Sequence, residues 1–239
     1  METKKIFNKL DNWDQKIILK YNGIGGKPII LFLKTLSFFG RETIWMLLMV
    51  YFLFIFYDPM LFSHIGSIFL LGVLIIAPIK KVIARDRPFE ALEDIKVLER
   101  EPTSRSFPSW HAYNVASQGL LMAYLLNSLL VAIMVLIFAA IISFSRIQLG
   151  VHYPSDVMFG FFIGIIGFIL AITIVAPILM RIISFFELVI GSQIHFQVFN
   201  PMLLENFFYA ILVIGLIVII ILLAIHKRIK EVVKNSKRR

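Results

Sequence analysis

Residues 207–225 read FFYAILVIGLIVIIILLAI and carry no charge at all. A helix of that length approaches the roughly 20 residues, within a range of about 17–25, that cross a bilayer's hydrocarbon core. Five further apolar runs lie at approximately 42–57, 60–80, 110–126, 128–145 and 156–180. Bare peptide groups cannot stay unpaired in lipid, so such runs fold as helices. The two-residue alternation of a membrane β-barrel is absent. The chain has 239 residues, 59% hydrophobic and 16% charged, which is more apolar side chain than a soluble fold of this size can bury. The expected fold class is all-α: a polytopic membrane protein with about six transmembrane helices in a bundle. There is no cysteine, hence no disulfide and no thiolate metal site.

Three regions are expected. Residues 1–27 form an amphipathic interfacial segment, in which Phe7, Leu10, Trp13, Ile17 and Tyr21 make an apolar stripe among lysines. That helix lies in the membrane interface or packs on the protein's own loops. With no long apolar core it is not a cleavable signal. Residues 28–180 form the core, in which 28–39 is too short to span alone and reads as an interfacial or re-entrant lead-in. Residues 181–239 hold an interfacial connection, the sixth span and a basic tail. Asp58-Pro59 and Asn127-Ser128 mark tight turns.

The polar chemistry collects in two loops, 81–109 and 146–155, which alternating crossings place on one face. That face gathers Lys80 through Arg87-Pro88, then Pro108-Ser109-Trp110-His111, then Ser145-Arg146 through His152 to Asp156. Charge close to a membrane is costly, so such a cluster points to function. Lys80, Arg87 and Arg146 match a group with two or more negative charges, Arg as a planar fork and Lys as a point charge. Ser109 adds a hydroxyl next to a helix start, where free N–H groups favour anions. His152 and Asp156 are one helical turn apart, so the carboxylate can hold one imidazole nitrogen and leave the other free to attack. His111 has the ordinary titration range of a general acid. Blander readings stand beside these. Lys81 and Arg85 read as snorkelling cations, His64, His195 and His226 as interfacial fillers, and Asp156 or Ser155 as a helix cap. The acidic residues of loop 89–107 (Glu90, Glu93, Asp94, Glu99 and Glu101) read mainly as a solvated helix, otherwise as a screen for headgroups.

These stretches resemble the motifs of the type-2 phosphatidic acid phosphatase superfamily, membrane lipid phosphatases related to the vanadium haloperoxidases. The resemblance covers about 28–180 and departs at Trp110, where the family usually has Gly. It implies a metal-independent hydrolase without a cofactor, acting on a lipid phosphate or pyrophosphate. His152 would be the nucleophile that forms a phosphohistidine, Asp156 its orienter and His111 the acid. Lys80, Arg87, Ser109, Trp110 (through its backbone N–H) and Arg146 would hold the phosphate. The alternatives are a lipid phosphotransferase on the same site, or a retired site that binds or transports lipid phosphate.

The formal charge of +9 reflects topology and anionic lipid rather than nucleic acid, so the expected partners are the bilayer and an amphiphilic phosphorylated lipid. With six crossings, 23 of the 24 Lys and Arg residues fall on the motif side and only Arg181 opposite. The positive-inside rule then turns the motif face to the cytoplasm.

Overall fold

The computed structural model describes residues 2–190 and 198–236, with side chains over 9–189 and 199–226. His195 lies outside the described residues. In chain order the elements are α1 (Glu2–Tyr21), α2 (Gly26–Leu36) with a 3-10 turn Ser37–Gly40, and α3 (Glu42–Val50), which runs on as a π turn to Ile55. Next come β1 (Phe56–Tyr57), α4 (Pro59–Ile83), α5 (Pro88–Ala91), α6 (Trp110–Leu125) and α7 (Leu129–Gln148). The chain then forms α8 (Pro154–Leu170), a π turn Ala171–Val175, α9 (Ala176–Ile190), β2 (Val198–Phe199), α10 (Met202–Glu205) and α11 (Phe207–Ser236).

The chain is an all-α integral membrane protein. Among the described residues four helical segments are long and apolar enough to cross a bilayer: 59–91, 129–148, 154–189 and 207–226. Gly26–Gly40 and Glu42–Ile55 pass together as a broken fifth. The lead-in expected at 28–39 is thus the first helix of a bent pair, the form of a broken span or of a re-entrant loop. The first run also stops short of 57, because Phe56 and Tyr57 pair antiparallel with Phe199 and Val198. The fifth run continues beyond 180, to Ile190. Helix α6 has 16 residues, too few for the span expected at 110–126 to pass by length alone. Apolar side chains such as Ile133, Met134, Phe162 and Ile166 stay exposed, as expected of helices solvated by acyl chains.

Two compact units divide the chain: residues 1–41 with 67–173, and residues 42–66 with 174–239. In the second, α3 packs on α11. Asn200 Nδ2 donates to Phe54 O and to the Tyr209 hydroxyl.

The first unit holds all three motif stretches. Its tightest packing is between α6 and α8. A Cβ on Gly160 would stand 2.3 Å from Ser109 O, and one on Gly164 would stand 2.7 Å from Tyr113 O. Bare glycines at these adjacent turns let the two backbones meet, as small residues do between membrane helices. Both turns anticipated at Asp58 and Asn127 are present. Asp58 Oδ1 accepts the Leu61 N–H at 2.9 Å and starts α4. Asn127 takes φ 44°, and Ser128 accepts the Val131 N–H to start α7.

Helix α1 forms as its periodicity predicts, with Leu10, Ile17 and Tyr21 of the stripe half-buried. Trp13 is exposed, whereas Asp14 and Ile18 are buried. Ile18 joins Ile95, Ala112, Ile147, Tyr153 and Val157 in one apolar cluster, so this face packs on the protein's own helices and loops. The solvated helix expected over 89–107 ends at Ala91, and the chain from 92 to 109 is irregular.

Candidate active site

The site begins where α4 stops. Ala84 turns the chain at φ 48°, a left-handed conformation that costs an L-residue roughly 1–2 kcal/mol. Beyond it lie Arg85 and Arg87. Lys80, in the last turn of α4, donates to the carbonyls of Arg105 (2.6 Å) and Ser106 (3.1 Å). Arg87 Nε donates to Ser104 O at 2.6 Å, and its Nη1 to Val151 O at 2.6 Å. These cations explain the irregular backbone opposite them. A helix over 104–106 would spend those carbonyls internally.

The third motif leaves α7 through a tight turn. Gly150 takes φ +79°, and a Cβ there would stand 2.6 Å from Lys96 O. The N–H groups of Val151 and His152 both return to Arg146 O. His152 is 2% exposed. Its Nε2 lies 3.3 Å from Arg87 Nη1, and its buried Nδ1 lies 3.5 Å from Asp156 Oδ2, close but without a formed hydrogen bond. A guanidinium only donates, so the Nε2 that meets Arg87 presents a lone pair. In that tautomer the ring proton is on Nδ1, the nitrogen nearer the carboxylate. Burial, with Arg87, Lys80 and Arg146 close by, holds the imidazole well below its ordinary pKa. The neutral ring is thereby favoured.

Asp156 is completely buried, and both its oxygens are engaged. Oδ1 accepts from Arg85 at 2.8 Å. Oδ2 accepts the Ser106 hydroxyl at 2.5 Å and the Tyr153 N–H at 2.8 Å. Asp156 thus caps α8, and the same carboxylate lies 3.5 Å from His152 Nδ1. Ser155, the other cap considered, instead donates its N–H and hydroxyl to Asp14.

His111 stands at the start of α6 within electrostatic reach of Arg146, His152 and Arg87. A Cβ on Gly40 would lie 2.8 Å from His111 Cδ2, so the 3-10 turn walls this ring. Ser109 accepts the Ala112 N–H through its hydroxyl and donates its own N–H to Asp156 O at 2.9 Å. That last bond ties the second motif to the third. The Trp110 indole points towards α4: a Cβ on Gly72 would stand 3.4 Å from its Cζ2. Arg146 is buried and forked onto the Glu99 carboxylate, and its Nη1 also donates to Ser37. Elsewhere, His64 Nδ1 lies 2.7 Å from Met60 O of its own helix, and His226 is exposed on α11.

Several partners escape a reading of the sequence. Arg85, taken there as a snorkelling cation, bridges Asp11, Asp14 and Asp156. The acidic loop is not simply solvated, since Glu99 pairs with Arg146 below the surface. Ser37, Gly40 and Ser106 carried no motif signal. Asp14 did carry one: a carboxylate inside the apolar face of α1.

Comparison with known proteins identifies the family. Residues 59–179 match the family model of the PAP2 superfamily. The chain is 31% identical over 129 residues to an undecaprenyl-diphosphatase of Sulfolobus acidocaldarius, covering 54% of this chain and 62% of that protein. It is 35% identical over 101 residues to phosphatidylglycerophosphatase B of Bacillus subtilis, covering 38% of this chain and 47% of that protein. These matches thus span under two thirds of the relatives' lengths. Among solved structures, the transmembrane PAP2-type phosphatidylglycerolphosphate phosphatase of Bacillus subtilis superposes with a TM-score of 0.54 at 28% identity, over 69% of this chain and 85% of that one. Aquifex aeolicus LpxE superposes with a TM-score of 0.56 at 25% identity, over 66% and 93%. With half of its length matched by the family model, and all three motif stretches folded into one polar centre, the chain belongs to the PAP2 superfamily.

Proposed function

We propose that this protein is a membrane-embedded phosphohydrolase that takes the terminal phosphoryl group from a lipid phosphate or lipid pyrophosphate through a phosphohistidine at His152. One observation carries the reading: His152 sets Nε2 3.3 Å from Arg87 Nη1 and Nδ1 3.5 Å from Asp156 Oδ2, the placement of a nucleophile beside a cation and an orienting carboxylate.

The phosphoryl oxygens are held by Arg87, Lys80 and Arg146, with Ser109 and the Trp110 N–H at the start of α6. Arg146 exchanges part of its Glu99 contact for phosphate. Nε2 attacks phosphorus in line, the bond from phosphorus to the lipid oxygen breaks, and His111, in the protonated form that the bound phosphate's negative charge favours, gives that oxygen its proton. Asp156 stabilises the positive charge that develops on the ring. His111, now neutral, takes a proton from water as the water oxygen attacks phosphorus. The P–N bond breaks, releasing inorganic phosphate and restoring His152. Prearranged positive charge in a dry site supplies much of the rate.

The substrate is a polyprenyl or glycerolipid phosphate whose chains lie among the apolar helices, in keeping with the names of the relatives. Counting α6 as a sixth crossing, the basic motif face turns to the cytoplasm of the cell membrane. The test is phosphate release by purified protein in mixed micelles of phosphatidate, phosphatidylglycerophosphate or polyprenyl pyrophosphate, with chelator present. Wild type releases phosphate from at least one and His152→Ala from none. Equal release by both overturns the mechanism.

A further inference from the structure

Helix α1 lies outside the residues matched by the family model, yet it reaches the centre of the site. Asp14 is 0% exposed. Its Oδ1 accepts the Ser155 N–H at 2.9 Å, and its Oδ2 accepts the Ser155 hydroxyl at 2.5 Å and Arg85 Nη2 at 2.7 Å. Arg85 Nη1 in turn donates to Asp156 Oδ1 and to the Ser155 hydroxyl, both at 2.8 Å. The guanidinium lies 4.1 Å from the centre of the Tyr153 ring, a cation–π contact that fixes its plane. Arg85 is thus clamped between two buried carboxylates, one of which faces His152.

We infer that Asp14 is a positioning residue for the His152–Asp156 pair, acting through Arg85 and Ser155, so that α1 is a working part of the catalytic unit. The inference rests on the reaction proposed at His152. With Arg85 held on Oδ1 of Asp156, Oδ2 is left for Ser106, the Tyr153 N–H and the imidazole. Remove the Asp14 carboxylate and the other acidic partner of Nη2 is Asp11, whose side chain is 58% exposed. The guanidinium is then free to swing towards solvent, and Asp156 loses the donor that fixes its rotation. His152 keeps its place in the chain but not its tautomer or aim. Nothing in this linkage touches a phosphate, so turnover suffers and substrate binding does not.

The experiment compares wild type, Asp14→Ala, Asp14→Asn, His152→Ala, Asp156→Asn and the Asp14→Ala/Asp156→Asn double variant, each full length and monodisperse in detergent. The measurements are kcat, KM and thermal unfolding. Asp14→Ala is expected to lower kcat about 10- to 100-fold, the range met when an outer partner of a reacting site is removed. KM should stay within about twofold of wild type. Asp14→Asn keeps an acceptor for Ser155 and falls between the two. In the Asp156→Asn background the same Asp14 change should cost little further kcat, because both act through one carboxylate. Unchanged kcat in Asp14→Ala overturns the inference. So does a loss that is fully additive with Asp156→Asn, or one that only lowers the unfolding temperature. In those cases His152→Ala is still inactive beside an active wild type, and the hydrolase reading stands. If wild type and His152→Ala cannot be told apart, the reaction assignment fails and takes this inference with it.

Discussion

Glu99 holds both terminal nitrogens of Arg146 in a buried ion pair. Arg146 is one of the three cations read as phosphate ligands, so a carboxylate from loop 92–107 occupies a fork suited to a phosphoryl group. The two anions compete. Neutralising Glu99 should therefore tighten binding of a phosphate mimic. For Glu99→Gln the inhibition constant of orthovanadate is expected to fall about tenfold, the change that corresponds to ~1.4 kcal/mol. If Glu99 instead serves to aim Arg146, the same variant binds vanadate more weakly and loses kcat. Competitive inhibition assays separate the two by sign.

The pH dependence has a definite direction. A histidine held below its ordinary pKa loses its nucleophilic form only when pH falls through that lowered value. Activity should thus persist below the ordinary histidine range and decline only at more acid pH. The substrate's own ionisation contributes to the same limb, so the informative quantity is a difference between proteins. Lys80 is among the cations that depress His152. Lys80→Met should move the acid limb of kcat/KM to higher pH on the same substrate. A limb unmoved, or moved lower, contradicts the electrostatic account.

The polar centre was legible because Lys, Arg, His and Asp are rare beside apolar runs and sit here at set spacings. Its supports were not, and the reason is physical. Arg85 read as a cation at a span end because its partners, Asp14 and Asp156, lie 71 residues away on either side. Glu99 read as solvated because its partner Arg146 is 47 residues away. No local pattern encodes such pairings. The acidic residues of loop 89–107 read mainly as a solvated helix, but the helix ends at Ala91. The rest of the loop stays open because Ser104, Arg105 and Ser106 lend their carbonyls to Lys80 and Arg87. The stripe on α1 predicted the helix and the face that holds Asp14, but what a buried carboxylate does there is visible only once Arg85 and Ser155 are beside it.

The close approach of α6 and α8 sets where His111 stands relative to Asp156. A Cβ on Gly160 would meet Ser109 O at 2.3 Å, and that atom is backbone, so the helices must separate. Gly160→Ala should destabilise the protein by about 1–3 kcal/mol, the usual cost of overpacking. It should also depress kcat, because Ser109 and His111 move together at the start of α6. The control is Gly215→Ala, where nothing lies within 4 Å of the added carbon. Thermal unfolding in detergent and phosphate release measured side by side should show a loss in the first variant and none in the second.

His111 has two duties in the proposed cycle, and leaving-group chemistry separates them. An aryl phosphate with an acidic phenol needs no proton to depart, so its first step does not depend on His111. The second step still needs a base for water. His111→Ala given a radiolabelled aryl phosphate should therefore accumulate protein-bound phosphate with the acid-labile, alkali-stable behaviour of a phosphohistidine. His152→Ala should show no label, and wild type only a trace at steady state. Label in the His152 variant places the nucleophile elsewhere.

Orientation can be tested directly, because the chain has no cysteine to remove. Asp94 is exposed in the loop between the first two motifs. Leu126, also exposed, is at the other end of α6, next to the Asn127 turn. The charge asymmetry predicts that Asp94→Cys stays unreactive to a membrane-impermeant maleimide in intact cells and reacts after permeabilisation. Leu126→Cys should behave the opposite way if α6 crosses the bilayer. Reaction of both variants in intact cells would mean that α6 turns back within the membrane. Reaction of the Asp94→Cys variant alone would place the phosphate site outside, where the basic face meets external anionic headgroups, and the charge count would then reflect substrate capture rather than insertion.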